Sequence, residues 1–150
     1  MKLQTCSETI SFAKKLENAS SEFYQHLSER YTKDRDVFLS FVKENHRYVV
    51  QVERAYYSVI TDAIESCFAF DVDPNAYTFE TQLPDSASRA DALAKALEIE
   101  DKIVKFYSDA AEHASSLMAD VPRNFVIIAK KRKKRIEQVK SLSRESEVDA

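Results

Sequence analysis

Two glutamates draw attention because the residues around them recur. Ala13-Lys-Lys-Leu-Glu17-Asn-Ala-Ser-Ser-Glu-Phe23-Tyr24 and Ala96-Leu-Glu-Ile-Glu100-Asp-Lys-Ile-Val-Lys-Phe106-Tyr107 share the pattern A-x-x-x-E-x-x-x-x-x-F-Y. Each glutamate follows its alanine by four residues, one helical turn, and so lies on the same face. A carboxylate on such a face must be paired, neutralised or bound to a cation, because burying it alone is very costly. A weaker match sets Phe38, Asn45, Tyr48, Gln51 and Val52 over Phe125, Arg132, Arg135, Gln138 and Val139. The chain therefore reads as a duplicated helical hairpin, with Asn45-x-x-Tyr48 and Arg132-x-x-Arg135 at corresponding places. Tyr24 and Tyr107, kept in both halves, read either as redox neighbours of a metal or as core residues whose hydroxyls need partners.

Other reactive side chains form no recognised site. Lys130-Lys-Arg132-Lys-Lys-Arg135 is the densest basic run. Six successive helical residues circle the axis nearly twice, so they cannot all face one nucleic-acid groove. A solvated face with two inward arginines is the expectation, and the net charge of −3 gives no general pull toward nucleic acid. His26, His46 and His113 are scattered, and no G-x-S-x-G marks a nucleophile. Cys6 and Cys67 form no C-x-x-C, which excludes a zinc ribbon or rubredoxin knuckle. Two reduced thiols are expected, although a Cys6–Cys67 bridge stays open, and Cys67 is expected to be buried packing rather than a reactive thiol.

These side chains must be positioned by helices. The chain has 150 residues, no glycine and three prolines. Tight hairpins, phosphate loops and dinucleotide-binding turns all rely on glycine, and its absence argues strongly against an all-β fold, a P-loop and a Rossmann turn. With 44% hydrophobic and 31% charged residues, residues 1–150 can bury one core and form one domain. Thr5-x-x-Glu8 predicts a capping box before a first helix over about 7–31. Asp34 is expected to cap a second helix carrying Phe38, Phe41, Val42, Val49, Val52 and Val59, reaching Cys67 and about 50 Å long. Residues 69–87 break the pattern, with Tyr77–Glu80 a short extended piece. Ser88-x-x-Asp91 opens a third helix. Asp120 caps a fourth, with Pro122 in its first turn, where a missing N–H is harmless. The tail, about 143–150, is polar and expected to fray. Two short links and one long one between the second and third helices describe a four-helix bundle with one long crossover, the connectivity of ferritin-like folds.

The doubled A-x-x-x-E-x-x-x-x-x-F-Y pattern resembles the rubrerythrin branch of the ferritin-like superfamily over roughly residues 7–145. The resemblance implies an all-α, ferritin-like bundle and a di-iron site to which Glu17 and Glu100 would each supply one ligand. The family's two further Glu-x-x-His motifs are replaced here by Asn45-x-x-Tyr48 and Arg132-x-x-Arg135. A one-residue slip that brought in Glu44 or His46 would push Phe38, Phe41 and Val52 off the apolar face. The resemblance also implies a homodimer, formed in part by the aromatic crossover with Phe68, Phe70, Tyr77 and Phe79.

Charge arithmetic makes the substitution intelligible. Four carboxylates around two Fe²⁺ sum to zero, and so do two glutamates facing two arginines. The expectation is a core network of Glu17, Glu100, Arg132 and Arg135, completed by Asn45 and Tyr48, in place of metal. Arginine suits this role through planar bidentate pairing and a permanent charge. The bland alternative has the arginines snorkelling to solvent. No cofactor is then expected, and the chain reads as a non-catalytic structural, interaction or regulatory module with an unknown protein partner. The alternative is an iron-binding oxidoreductase or peroxidase with altered ligands built from Glu17 and Glu100. It would need an outside electron donor, since no cysteine pairs supply a rubredoxin-type site. A third class, a nucleic-acid-associated protein using the fourth helix, is disfavoured by charge. No stretch approaches the ~18 apolar residues of a membrane span. Met1–Thr5 has no apolar region behind Lys2, so a cytoplasmic location is expected.

Overall fold

A computed structural model describes residues 3, 5–59, 72–114 and 120–148, with the side chains of 58, 59, 114, 120 and 146–148 left out. Local signals start the helices. Thr5 Oγ1 accepts from the Glu8 N–H at 3.0 Å while Glu8 Oε1 accepts from the Thr5 N–H at 3.1 Å. This reciprocal cap opens α1 (Cys6–Arg30). A 3₁₀ turn (Thr32–Asp34) leads into α2 (Arg35–Val59). Ser88 and Asp91 repeat the reciprocal cap at 3.0 and 3.1 Å and open α3 (Arg89–Ala114). α4 (Asp120–Val148) carries Pro122 in its first turn and stays helical through 143–148, where a frayed tail begins in the sequence-based expectation. The Asp120 cap, the extension of the second helix to Cys67, Phe68, Phe70 and the Cys6–Cys67 pairing all lie outside the described residues.

Asp34 corrects one expectation. It sits within the 3₁₀ turn, and its carboxylate accepts from Arg89 Nε at 2.5 Å and Nη2 at 3.2 Å. A bidentate charged partner is stronger than a backbone N–H, so this side chain ties the α1–α2 turn to the start of α3. Arg89 also donates to the Leu142 carbonyl at 3.2 Å, which adds the end of α4 to the same junction.

Among the described residues these are four α-helices with no strand, packed as a four-helix bundle. The sole bridge of β type described is antiparallel, between Leu3 and Val72. α1 packs on α2, α3 on α4, and α2 on α4, with α1 also touching α3. Contacts fix the directions. Ser20 meets Asn45 and Lys14 meets Glu53, so α1 and α2 are antiparallel. Arg89 meets Leu142 and Glu100 meets Arg132, so α3 and α4 are antiparallel. Asn45 meets Arg132 and Gln51 meets Asn124, so α2 and α4 are antiparallel as well. It follows that α2 and α3 point the same way.

The core follows the helical spacing read from the sequence. Ala13, Phe23, Tyr24, Phe38, Phe41, Val52, Ala96, Ile103, Phe106, Tyr107, Phe125 and Val139 are all buried. Of the segment between α2 and α3, the described part lies against α1 and α3. Of the extended piece expected over Tyr77–Glu80, Tyr77 belongs instead to a 3₁₀ turn (Pro74–Tyr77), and Thr78 beyond it is extended. The Tyr77 ring is buried 5.5 Å from Phe106, and its hydroxyl donates to Asp109 at 2.6 Å. Arg30 and Tyr31 hold the far end by donating to the Pro84, Asp85 and Ala87 carbonyls. No described helix is long and apolar enough to cross a membrane.

Candidate functional site

All eight residues singled out in the centre of the repeat meet in one place. Glu17, Tyr24, Asn45, Glu100, Tyr107, Arg132 and Arg135 are completely buried, and Tyr48 nearly so. The helices deliver them by register. Glu17 and Tyr24 are seven residues apart on α1, as are Glu100 and Tyr107 on α3, so each pair shares a face two turns apart. Asn45/Tyr48 and Arg132/Arg135 are i, i+3 pairs on α2 and α4.

Arg132 is the hub. Its Nη1 donates to Glu100 Oε2 at 2.7 Å and its Nη2 to Glu17 Oε1, so one guanidinium bridges both carboxylates. Nη2 also reaches Asn45 Oδ1 at 3.0 Å. Asn45 is oriented in turn by donating to the Ser20 and Ser21 hydroxyls at 3.1 and 3.2 Å. Arg135 Nη1 donates to Glu100 Oε1 at 3.0 Å, and its Nη2 to the Phe41 carbonyl at 3.3 Å. The carboxylates' remaining capacity goes to the tyrosines. Tyr24 donates to Glu100 at 2.9 Å, and Tyr107 donates to Glu17 at 2.6 Å.

The tyrosine bonds are exchanged between halves. Each tyrosine packs against a phenylalanine of its own hairpin, Tyr24 on Phe38 at 6.0 Å and Tyr107 on Phe125 at 5.6 Å. Each donates its proton to the glutamate of the other hairpin. Corresponding positions also face one another: Asn45 with Arg132, and Tyr48 with Arg135 at 5.7 Å from guanidinium to ring. The repeat in the sequence is thus an approximate two-fold axis through the network, broken in charge because α4 alone supplies the cations.

Aromatic faces enclose the guanidinium groups. Arg135 lies 4.7 Å from the Phe41 centroid and 5.6 Å from that of Tyr24, and Arg132 lies 5.4 Å from that of Tyr48. Such contacts compensate part of the desolvation of a cation. The Nε of each arginine finds no hydrogen-bond partner among the described residues.

Sequence reasoning missed three contributors. Ser20 and Ser21 carry no motif and orient Asn45 only because α1 and α2 are antiparallel. Glu44 is not a core residue, being one-third exposed, yet it receives the Tyr48 hydroxyl at 3.3 Å and stands 3.7 Å from Arg135. It therefore forms the rim of the network, while its neighbour His46 is exposed. An acidic residue one position before a buried asparagine is the signal that could have suggested this. His26 and His113 are exposed, and Cys6 is buried.

The network sets protonation. Burial alone would raise the Glu100 carboxyl, but Arg132 and Arg135, with hydrogen bonds from Arg132 and Tyr24, hold it below the usual carboxylate range. Burial would lower Arg132, and Glu100 and Glu17 outweigh it, so the guanidinium keeps its proton well above its ordinary range. Burial pushes the Tyr24 and Tyr107 phenols well up, and Glu100 and Glu17 beside them add to it. Tyr48 is pushed up to about 12, chiefly by burial.

Stability should accordingly fall at both extremes of pH. Glu100 ionises more readily folded than unfolded. Its contribution is present above about pH 4.3 and is lost as the pH drops through the lower folded value. The phenols stay protonated longer when folded, so their contribution is intact below about pH 10 and is lost as the pH rises toward the raised folded values. Urea unfolding across the alkaline range checks this. Replacing Tyr24 and Tyr107 by Phe should remove much of the alkaline loss, and an unchanged profile would assign that loss to other groups.

The residues present do not fit the two iron ions that the family resemblance implies. Two carboxylates are available, but their oxygens already accept from guanidinium groups and tyrosine hydroxyls, and those cations oppose entry of another. Among the described residues no three His, Cys, Asp or Glu side chains converge to hold a metal ion. Compared with models of protein families, curated proteins and solved structures, the chain finds no significant match.

Proposed function

We propose that this chain is a ferritin-like, rubrerythrin-type bundle that has exchanged a di-iron site for a Glu–Arg core and serves as a structural, interaction or regulatory module. One observation carries the reading: Arg132 bonds to both Glu17 and Glu100, the two positions the family resemblance assigns to metal. A single guanidinium thereby bridges the carboxylates as a metal cation would, and Arg135 supplies the second charge. With both carboxylates paired in this way, the arrangement supports a buried, fold-defining core.

Topology supports the ferritin-like part. That α2 and α3 point the same way agrees with a long crossover between them, as that connectivity requires. The proposal includes a cytoplasmic homodimer built in part on that segment and acting through a further protein partner.

The test is metal content after anaerobic purification and loading with Fe(II), by elemental analysis with an ultraviolet–visible spectrum. Iron near zero per chain, with no absorption from an oxo-bridged centre, is the expected result. About two irons per chain, the load of a carboxylate di-iron bundle, would overturn the reading and restore an oxidoreductase or peroxidase.

A further inference from the structure

An open groove on the outside of α2 and α4 offers about 720 Å³. Gln51 donates to Asn124 across it at 2.7 Å, with Val50, 44% exposed, and Ala55 alongside. The rest of its lining is basic: His46, Arg47 and Arg54 from α2 and Lys131 from α4, all exposed. No carboxylate is among the described residues that line it. Arg47, Arg54 and Lys131 form no ion pair with any described residue. The chain as a whole is acidic, at −3, so the groove runs against the overall balance.

The cations are grouped at two ends. The Asn45–Arg132 and Gln51–Asn124 contacts fix the register of the two helices. Lys131 is thus level with His46 and Arg47, while Arg54 lies two turns further along α2, about 10 Å away. Between them lie Val50 and Gln51, with the buried Ala55 level with Arg54.

We infer that this groove binds a small organic molecule carrying two phosphoryl groups about 10 Å apart, the separation of the two cationic ends. Arg47 and Lys131 grip one phosphoryl group from facing helices, with the His46 imidazole beside it. Arg54 takes the other in the planar fork that guanidinium offers to phosphate. The carbon skeleton lies over Val50 and beside the Gln51–Asn124 pair. A nucleic-acid strand is a poorer fit, since it needs continuous cations and stacking aromatics where this groove is aliphatic. The inference does not depend on how the core network is read.

Titration of the full chain, labelled with ¹⁵N, tests it with fructose 1,6-bisphosphate as the probe. Saturable amide shifts are expected over residues 46–54 and 124–131. Arg47→Ala and Arg54→Ala should each weaken binding about tenfold or more, as loss of a charged hydrogen-bond donor does. Both residues are exposed, so unchanged melting of the variants shows that the fold is intact. Lys133→Ala, outside the groove lining, should leave binding unaltered. No saturable shift at millimolar probe would overturn the inference. Equal affinity for inorganic phosphate would overturn the two-ended arrangement. Tighter, steeply salt-dependent binding of a single-stranded oligoribonucleotide would replace the small molecule by nucleic acid.

Discussion

Replacing Glu100 by Ala is expected to lower folding stability by about 3–5 kcal/mol, the loss found when one partner of a buried ion pair is removed. Against a typical domain stability of about 5–15 kcal/mol, that is a large share of the margin. Glu100 accepts from Arg132, Arg135 and Tyr24. Its loss leaves Arg135 with the Phe41 carbonyl and the one-third-exposed Glu44 as its polar contacts. Glu17 receives one arginine and one tyrosine, so Glu17→Ala should cost less, while leaving Arg132 tied to Glu100. Chemical and thermal unfolding followed by circular dichroism gives both values. Glu100→Gln keeps an acceptor without the charge and should fall between wild type and Glu100→Ala, which keeps the test readable if the alanine variant fails to fold. Melting unchanged in all three would mean that these charges are not buried together.

Removing the whole network at once should behave oppositely. A chain with Glu17 and Glu100 changed to Leu, Arg132 and Arg135 to Met, and Tyr24 and Tyr107 to Phe should be as stable as wild type, or more stable by up to about 4 kcal/mol. Desolvating two carboxylates and two guanidinium groups is a cost that their mutual attraction only partly repays. Apolar side chains of similar volume avoid it and still fill the core. The tyrosines must be included, because their hydroxyls would otherwise be buried without acceptors. Asn45 Nδ2 keeps its bonds to Ser20 and Ser21, while its Oδ1 loses the Arg132 donor, which offsets part of the gain by about 1–3 kcal/mol. The combined change should then differ from the sum of the single changes by several kcal/mol, as expected of residues that share partners. A combined variant as unstable as that sum would show that the charges do not compensate one another. The same variant should lose the acid and alkaline decline attributed to Glu100 and the two phenols.

Most of what depends on residues within one turn was legible in the sequence. The reciprocal caps at Thr5/Glu8 and Ser88/Asp91 are local chemistry, and both form. The buried faces follow the 3.6-residue spacing, and Phe38, Phe41 and Val52 exclude a slipped register of α2. The repeated glutamate and tyrosine announced two equivalent helices, and the net charge of the four central residues announced that they could balance. Asp34 shows where local reasoning loses. Its position suited a cap, but Arg89 lies 55 residues away and offers two charged donors that no spacing rule reveals.

Only the tertiary structure decided which groups bond. The sequence could not say that Tyr24 serves Glu100 rather than Glu17, because that depends on the axial offset between α1 and α3. Nor could it show that Arg132 bridges both carboxylates while Arg135 leans on Phe41, or that Glu44 closes the rim. The physical reason is that a buried charge has to satisfy all its partners at once. Those partners come from four helices whose relative heights and rotations are set by packing, whereas helical periodicity determines only which face each residue occupies.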